Sequence, residues 1–326
     1  MGHPRTRFES DPPMSAHSVR IAVVIPCYNE AVAIGRVVSG FRDSLPQAAI
    51  YVFDNNSSDD TAAEARRAGA IVRHVGLRGK GNVVRRMFAD VDADVYVMAD
   101  GDDTYDASAA PGLVEKLLGE GLDMVVGRRV TEETAAYRSG HRTGNAMLTL
   151  ATAAVFGNAF DDLLSGYRVF SRRFAKSFPA HSAGFEIETE LAVHALGMRM
   201  PVAEVPTVYR ARPEGSHSKL STYRDGMRIL MTIGRLVKSE RPLVFFSIGF
   251  AICLLLAVAL AAPIVLVFLE TGLVPRVPTA ILCAALVLLG FILLGCGLVL
   301  DTVTRGRWET KRIGYLAIEG PRRPDA

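Results

Sequence analysis

Asp100, Asp102, Asp103 and Asp106 crowd into one short segment directly behind the apolar run Val95–Ala99. Like charges at that density are unfavourable unless something positive neutralises them, and hard divalent cations prefer carboxylate oxygen. Mg2+ takes one or two carboxylates and completes its shell with water and substrate phosphate. An Asp-x-Asp pair in this place therefore points to a metal bridging a diphosphate, which eases departure of a nucleotide leaving group. A solvated acidic loop is the plainer alternative. Two more polar clusters follow apolar runs in the same way, Pro26-Cys27-Tyr28-Asn29-Glu30 and Asp54-Asn55-Asn56-Ser57-Ser58-Asp59-Asp60-Thr61. Ser57, Ser58, Asp59 and Thr61 taken alone read equally well as turn and helix-cap residues. Three such clusters together are harder to explain as punctuation.

The elements around them decide whether they can meet. Ile21–Pro26 is a continuous apolar run, as expected of a strand buried on both faces. A helical pattern follows through Val32, Val37, Val38 and Phe41, then a strand at Ala49–Phe53 and a helix from Thr61. A short strand near Ile71–Val72, a helix over Gly81–Ala89 and a strand at Val95–Ala99 complete the series. This alternation predicts a parallel, doubly wound α/β sheet. Ligands of such sheets sit beyond the carboxyl ends of the strands, where all three polar clusters would converge.

At these intervals PCYNE, DNNSSDDT and DGDD resemble the family 2 glycosyltransferases, which have the Rossmann-like GT-A fold. The resemblance runs on through VGRR (Val126–Arg129), HRTGN (His141–Asn145), DLLSGYRVF (Asp162–Phe170), GFEIETEL (Gly184–Leu191) and the stretch from Glu204 to Leu220. It narrows to polyprenyl-phosphate glycosyltransferases similar to dolichol-phosphate mannose synthase. The resemblance implies that Pro26, Tyr28, Glu30 and Asp54 line the base and ribose of a nucleotide-sugar. It implies that Asp100 and Asp102 hold Mg2+ or Mn2+, Asp102 most directly. It places Arg129, Arg142, Arg168, Ser218 and Lys219 around the lipid phosphate and the donor diphosphate. Two positions depart from the pattern: Asn55-Asn56 stands where Asp-Gly is usual, and Thr104 where the nearest subgroup has Gln.

Physical chemistry adds to this. Two phosphorylated substrates repel one another, and fixed cations must offset that repulsion, Arg through two parallel bonds. Candidates are Lys80, Arg129, Arg142, Arg168, Arg212 and Lys219, against the alternative of solvated surface charges. Lys80 lies in the glycine-flanked turn Arg78–Asn82, whose amides could also meet a phosphate. A phosphate monoester is mostly dianionic at neutral pH, so the acceptor needs no general base. Asp162, Glu186 and Glu188 then read as sugar or arginine partners, with the helix dipole an equal explanation for the two glutamates. The expected reaction is an in-line displacement that inverts the anomeric carbon.

The remainder of the chain reads as membrane. Hydrophobic residues make up 49% of the sequence, and mean hydropathy is +0.22. Residues 243–269 and 277–300 contain no charge, and each stretch is long enough to span a hydrocarbon core. Lys238 and Arg241 precede the first stretch and Arg305, Arg307, Lys311 and Arg312 follow the second, whereas the intervening loop carries only Glu270 and Arg276. That bias predicts a multi-pass plasma (inner) membrane protein with its catalytic domain in the cytoplasm. Over Tyr223–Lys238 the cations Arg224, Arg228, Arg235 and Lys238 share one helical face, as in a helix lying at the interface. The expected organisation is a disordered lead-in at 1–18, a GT-A domain at 19–222, an interfacial helix at 223–242, a transmembrane hairpin at 243–300 and a tail at 301–326. The first residues lack the apolar run of a secretory signal. A net charge of +3 gives no case for nucleic acid, and four cysteines without ligand spacing suit a reducing compartment. A homo-oligomer is left open. Competing readings are a processive polysaccharide synthase, a transferase with a hydroxyl lipid acceptor, and a non-catalytic adaptor. The chain lacks the Gln-x-x-Arg-Trp segment expected of the first, its only tryptophan being Trp308.

Overall fold

The computed structural model describes residues 19–130, 160–184, 186–212, 231, 234–235 and 237–321. Among these residues seven strands form one sheet: β1 (Ile21–Cys27), β2 (Ala49–Asp54), β3 (Ile71–His74), β4 (Val95–Met98), β5 (Met124–Val130), β6 (Arg168–Ser171) and β7 (Val202–Val208), in the order β3-β2-β1-β4-β6-β5-β7. β1 lies between β2 and β4 and is parallel to both. The sheet is mixed rather than wholly parallel, because β6 runs antiparallel to β4 and β5.

Among the described residues six shorter helices accompany the sheet: α1 (Ile34–Ser44), α2 (Thr61–Arg67), α3 (Lys80–Asp90), α4 (Ala110–Glu120), α5 (Arg172–Ser177) and α6 (Ile187–Gly197). They cover both faces, as the apolar run of β1 requires. Val23 and Ile25 pack with Val38, Phe41 and Leu113 on one side, while Ala22 and Val24 pack with Met87, Phe88 and Phe170 on the other. The predicted strands and helices of residues 21–99 all form, with ends shifted by a residue or two. α6 does not divide into a buried and an exposed face. Ile187, Glu188, Thr189, Leu191, Ala192, Val193, His194 and Ala195 are all buried, so it is enclosed nearly all round.

Two long helices follow, α7 (Pro242–Thr271) and α8 (Val277–Leu316), both long and apolar enough to cross a membrane and both exposing most of their apolar stretch. They pack closely where small residues allow it: a Cβ on Gly297 would lie 2.9 Å from Cβ of Phe246. The segment beyond residue 300, expected as a tail, is instead helix to Leu316. Thr304, Trp308, Lys311 and Tyr315 recur at helical spacing as its more buried residues, and Trp308 and Tyr315 join the core cluster of the sheet domain. The expected interfacial helix at 223–242 lies largely outside the described residues, although 237–240 are helical.

Candidate active site

Strand order reverses between β1 and β4, and polar loops follow β1, β2 and β4 at their carboxyl ends. The loops after β1 and β2 are stitched together. Asn29, in left-handed backbone at φ 54°, donates its amide to Ser57 Oγ at 2.9 Å and accepts from the Ser58 amide at 2.8 Å. The Glu30 amide donates to Thr61 Oγ1 at 2.8 Å, and the Ala31 amide to Asp59 Oδ2 at 3.1 Å. Ser57, Asp59 and Thr61 therefore shape the rim, and Asp59 also serves the start of α2, its Oδ1 accepting from the Thr61 amide at 3.1 Å, while the side chain of the N-cap residue Asp60 makes no cap bond. Asn55 fastens the next loop, donating to the carbonyls of Val75 and Leu77 and accepting from the Gly79 amide at 2.7 Å. That loop projects Arg78 and Lys80.

Between these loops lies a cavity of about 360 Å³ lined by Pro26, Tyr28, Glu30, Asn55, Arg78, Lys80, Asp100, Asp102 and Arg212. Of the residues expected at the nucleotide-sugar, Pro26, Tyr28, Glu30, Lys80 and Asp100 line it. Asp54 is buried beside it, with His74 Nδ1 at 3.3 Å from Oδ2 and the Ser57 amide donating to Oδ1. Arg78, missed in the sequence, lies over the Tyr28 ring at 5.8 Å.

The acidic cluster divides in two. Asp103 pairs with Arg36 at 2.8 Å, and Asp106 caps the following turn through the Ser108 amide. Asp100 and Asp102 alone edge the cavity. Lys80 is buried between Asp100 Oδ1 and Glu188 Oε1, the latter at 2.6 Å. Burial alone would lower its pKa, but the two carboxylates outweigh burial and raise it. Asp102 accepts from Thr104 Oγ1 at 2.7 Å and pairs with Arg212 Nη2 at 2.7 Å. Burial and the charge of Asp100 push its carboxyl above the ordinary range. Thr104, standing where Gln was expected, thus orients Asp102.

Close backbone approach holds this pair. A Cβ on Gly166 would come 2.5 Å from Asp100 Oδ2, and one on Gly101 would come 2.5 Å from Cys27 Sγ. The glycines flanking Lys80 have the same packing role. The Gly81 amide donates to Ala183 O, and a Cβ on either Gly79 or Gly81 would collide with the 182–183 backbone. The Gly81 amide is thereby committed to the protein itself.

The arginines separate as well. Arg129 grips Asp162 through two bonds of 2.7 Å, and its guanidinium lies 5.4 Å from the Tyr209 ring. Burial pushes Asp162 up, but its bonds to Arg129 outweigh this and hold it below the usual carboxylate range. Arg168 departs from expectation. It is fully buried, donating to the carbonyls of Ser165 at 2.9 Å and Leu163 at 2.5 Å, and it does not line the cavity. Its guanidinium braces the 163–166 loop, and hence Gly166 against Asp100. Arg142, Ser218 and Lys219 lie outside the described residues.

Asp100 and Asp102 fit a hard divalent cation: two carboxylates at one cavity edge, paired with Lys80 and Arg212 respectively, suit an ion whose shell is completed by diphosphate and water. No group of three or more metal-binding side chains occurs among the described residues.

Fold and rim together define a GT-A enzyme. The family model described as "Glycosyl transferase family 2" matches residues 22–178. Glycosyltransferase AglJ of Haloferax volcanii is 38% identical over 234 residues, covering 71% of this chain and 77% of that protein. Dolichyl-phosphate hexose transferase of the same organism is 29% identical over 222 residues, covering 68% and 95%. Among solved structures, glucosyl-3-phosphoglycerate synthase from Mycobacterium tuberculosis in complex with Mn2+, UDP-glucose and glycerol 3-phosphate matches with a TM-score of 0.54 and 26% identity, covering 68% and 79%. The chain belongs to glycosyltransferase family 2.

Proposed function

We propose that this glycosyltransferase moves a sugar from a nucleotide-sugar onto a polyprenyl phosphate (undecaprenyl or dolichyl) at the cytoplasmic face of the plasma membrane, to supply a lipid-linked monosaccharide for envelope or protein glycosylation. The observation that carries this reading is the meeting of Asp100, Asp102, Lys80 and Arg212 at one cavity. Carboxylates and cations in contact across a pocket are what a diphosphate and its counter-ion require. The dolichyl-phosphate relative supports the acceptor class, and α7 and α8 supply apolar helices suited to hold the enzyme beside a lipid.

In this reading Tyr28 and Arg78 flank the base, while Pro26, Glu30 and Asp54 shape the floor beneath the ribose. Lys80 and Arg212 turn part of their charge toward the donor diphosphate. A Mg2+ or Mn2+ held by Asp100 and Asp102 would, when bound, neutralise the departing nucleotide. Arg129, oriented by Asp162, together with Arg142, Ser218 and Lys219, would receive the acceptor phosphate. The dianionic acceptor attacks the anomeric carbon in line and inverts it, with no side chain needed to remove a proton. Positioning and fixed charge supply most of the acceleration. The UDP-glucose complex of the mycobacterial structure favours a UDP-sugar over GDP-mannose.

The test is to incubate the intact protein in lipid nanodiscs with undecaprenyl phosphate, Mn2+ and a panel of UDP- and GDP-sugars, and to weigh the lipid. One glycosyl increment from a UDP-sugar is expected. Asp102→Ala should lower the rate at least about 100-fold, the scale of losing a key electrostatic contact, with no loss of thermal stability. Transfer to a lipid hydroxyl, or to no lipid at all, would refute the acceptor assignment.

A further inference from the structure

The part of α8 beyond the apolar stretch is anchored to the catalytic domain at two places. At the first, the Trp308 indole occupies the space beside Gly197, the last residue of α6, where a Cβ would collide with the ring. Lys311 lies over the indole, with Nζ 4.2 Å from the ring centroid. At the second, the Tyr315 hydroxyl donates to Oδ2 of fully buried Asp123 at 2.8 Å. Asp123 also accepts from Arg173 Nε at 2.5 Å, Arg173 Nη2 at 2.9 Å and Ser171 Oγ at 2.6 Å. The Arg173 guanidinium in turn lies over the Tyr315 ring at 4.7 Å. A third contact ties α8 to the segment leading into α7, Thr304 Oγ1 donating to Ser239 O at 3.3 Å.

Nothing interrupts the helix between its apolar stretch and these anchors. At 1.5 Å per residue α8 is about 60 Å long, of which the uncharged stretch takes about 36 Å. The remainder is a stiff rod with its far end pinned to the domain. Asp123 immediately precedes β5, at the sheet end opposite the cavity, and Gly197 lies at the other end of α6 from Glu188. The anchors are therefore remote from the reacting groups and leave the cavity rim uncovered.

We propose that docking of α8 through Trp308 and Tyr315 fixes the height and tilt of the catalytic domain above the bilayer, making these two positioning residues for an acceptor confined to the membrane. The inference rests on the reading of α7 and α8 as membrane spans. A flexible link would spread the cavity over many heights, whereas a docked rod holds it where the lipid phosphate lies and keeps the effective concentration of acceptor high.

Trp308 is the only tryptophan, so fluorescence excited beyond the absorption of tyrosine reports the environment of this one indole in the intact protein. The test uses Gly197→Val, which fills the indole's space, and Tyr315→Ala, each in nanodiscs, with Tyr315→Phe as the conservative control that keeps the ring over Arg173. Three quantities are read: acrylamide quenching of Trp308, the height profile of the domain above a supported bilayer by neutron reflectometry, and transfer to two acceptors. The expected result is stronger quenching and a broadened height profile in the first two variants. Transfer to bilayer-embedded undecaprenyl phosphate falls about tenfold through lost effective concentration, while transfer to a short water-soluble prenyl phosphate stays near the wild-type rate. The control stays close to wild type in all three. A released Trp308 with an unchanged height profile overturns the proposal. So does a parallel loss on both acceptors, which marks the contact as fold stabilisation only. If the wild type uses neither acceptor, the acceptor assignment fails, and the height profile still decides the docking proposal.

Discussion

Lys80 stands between two carboxylates that would otherwise face each other in a buried space, Asp100 at the cavity and Glu188 behind it. Lys80→Met should leave both unpaired and lower the unfolding free energy by about 3 kcal/mol, the scale of breaking a buried pair from one side. Adding Glu188→Gln should restore part of that loss, because it removes one of the two stranded charges. The folded-state pKa of Lys80 is raised, so its contribution is fully present below the pKa of an unfolded lysine and fades only at higher pH. Urea unfolding at neutral pH therefore measures all of it, and an unchanged midpoint in Lys80→Met would show that the bridge does not form. Asp100 and Asp102 were legible in the sequence because acidic crowding behind an apolar strand has few structural uses. Arg168 misled because an arginine's identity does not reveal whether phosphate or backbone carbonyls receive its bonds. Glu188 stayed ambiguous for the related reason that its partner is distant in sequence.

At the scale of elements, the apolar runs of β1, β2 and β4 were readable because burial on both faces leaves no polar alternation. The direction of β6 was not, since four residues of RVFS carry no sign of whether the chain runs up or down the sheet. The enclosure of α6 was also hidden, and it has a measurable consequence at His194. This imidazole packs between Phe174 and Phe178, with Nε2 3.3 Å from Ser177 Oγ and, among the described residues, no hydrogen-bond partner at Nδ1. Burial, reinforced by the charge of Lys311, pushes its pKa down to about 3. The native state therefore keeps it neutral, while the unfolded chain takes up a proton near pH 6.5. Its stabilising contribution is complete above that pH and is lost as pH falls toward 3, by about 1.4 kcal/mol per unit. Between pH 7 and pH 5 the wild type should lose about 2 kcal/mol more than His194→Leu. Chemical denaturation of both proteins at the two pH values checks this, and parallel losses would mean that the ring is hydrated and titrates normally.

For the whole molecule, the two apolar helices were legible because uncharged runs of this length are rare in water-soluble cores. The docked end of α8 was not, because Arg305, Arg307, Lys311 and Arg312 disguise the stripe formed by Thr304, Trp308 and Tyr315 as a solvated tail. The same charges make a prediction about sidedness. With cations before α7 and after α8, and the residue 272–276 turn nearly devoid of them, the turn should face outward and the catalytic domain inward. Leu273, in the turn, and Ser39, on α1, are both exposed and suit single-cysteine labelling. The native thiols should contribute little background. Cys27, Cys253 and Cys283 are buried, and Cys296, although exposed, lies in the apolar stretch of α8, which as a membrane span would be out of reach of an aqueous reagent. In intact cells a membrane-impermeant maleimide should label Leu273→Cys, whereas Ser39→Cys should react only after permeabilisation. Labelling of Ser39→Cys from outside would place the cavity across the bilayer from cytoplasmic nucleotide-sugars. Protection of both positions in intact cells would mean that α7 and α8 dip into the bilayer without crossing it, and the rod formed by α8 would then have no fixed membrane reference from which to set a height.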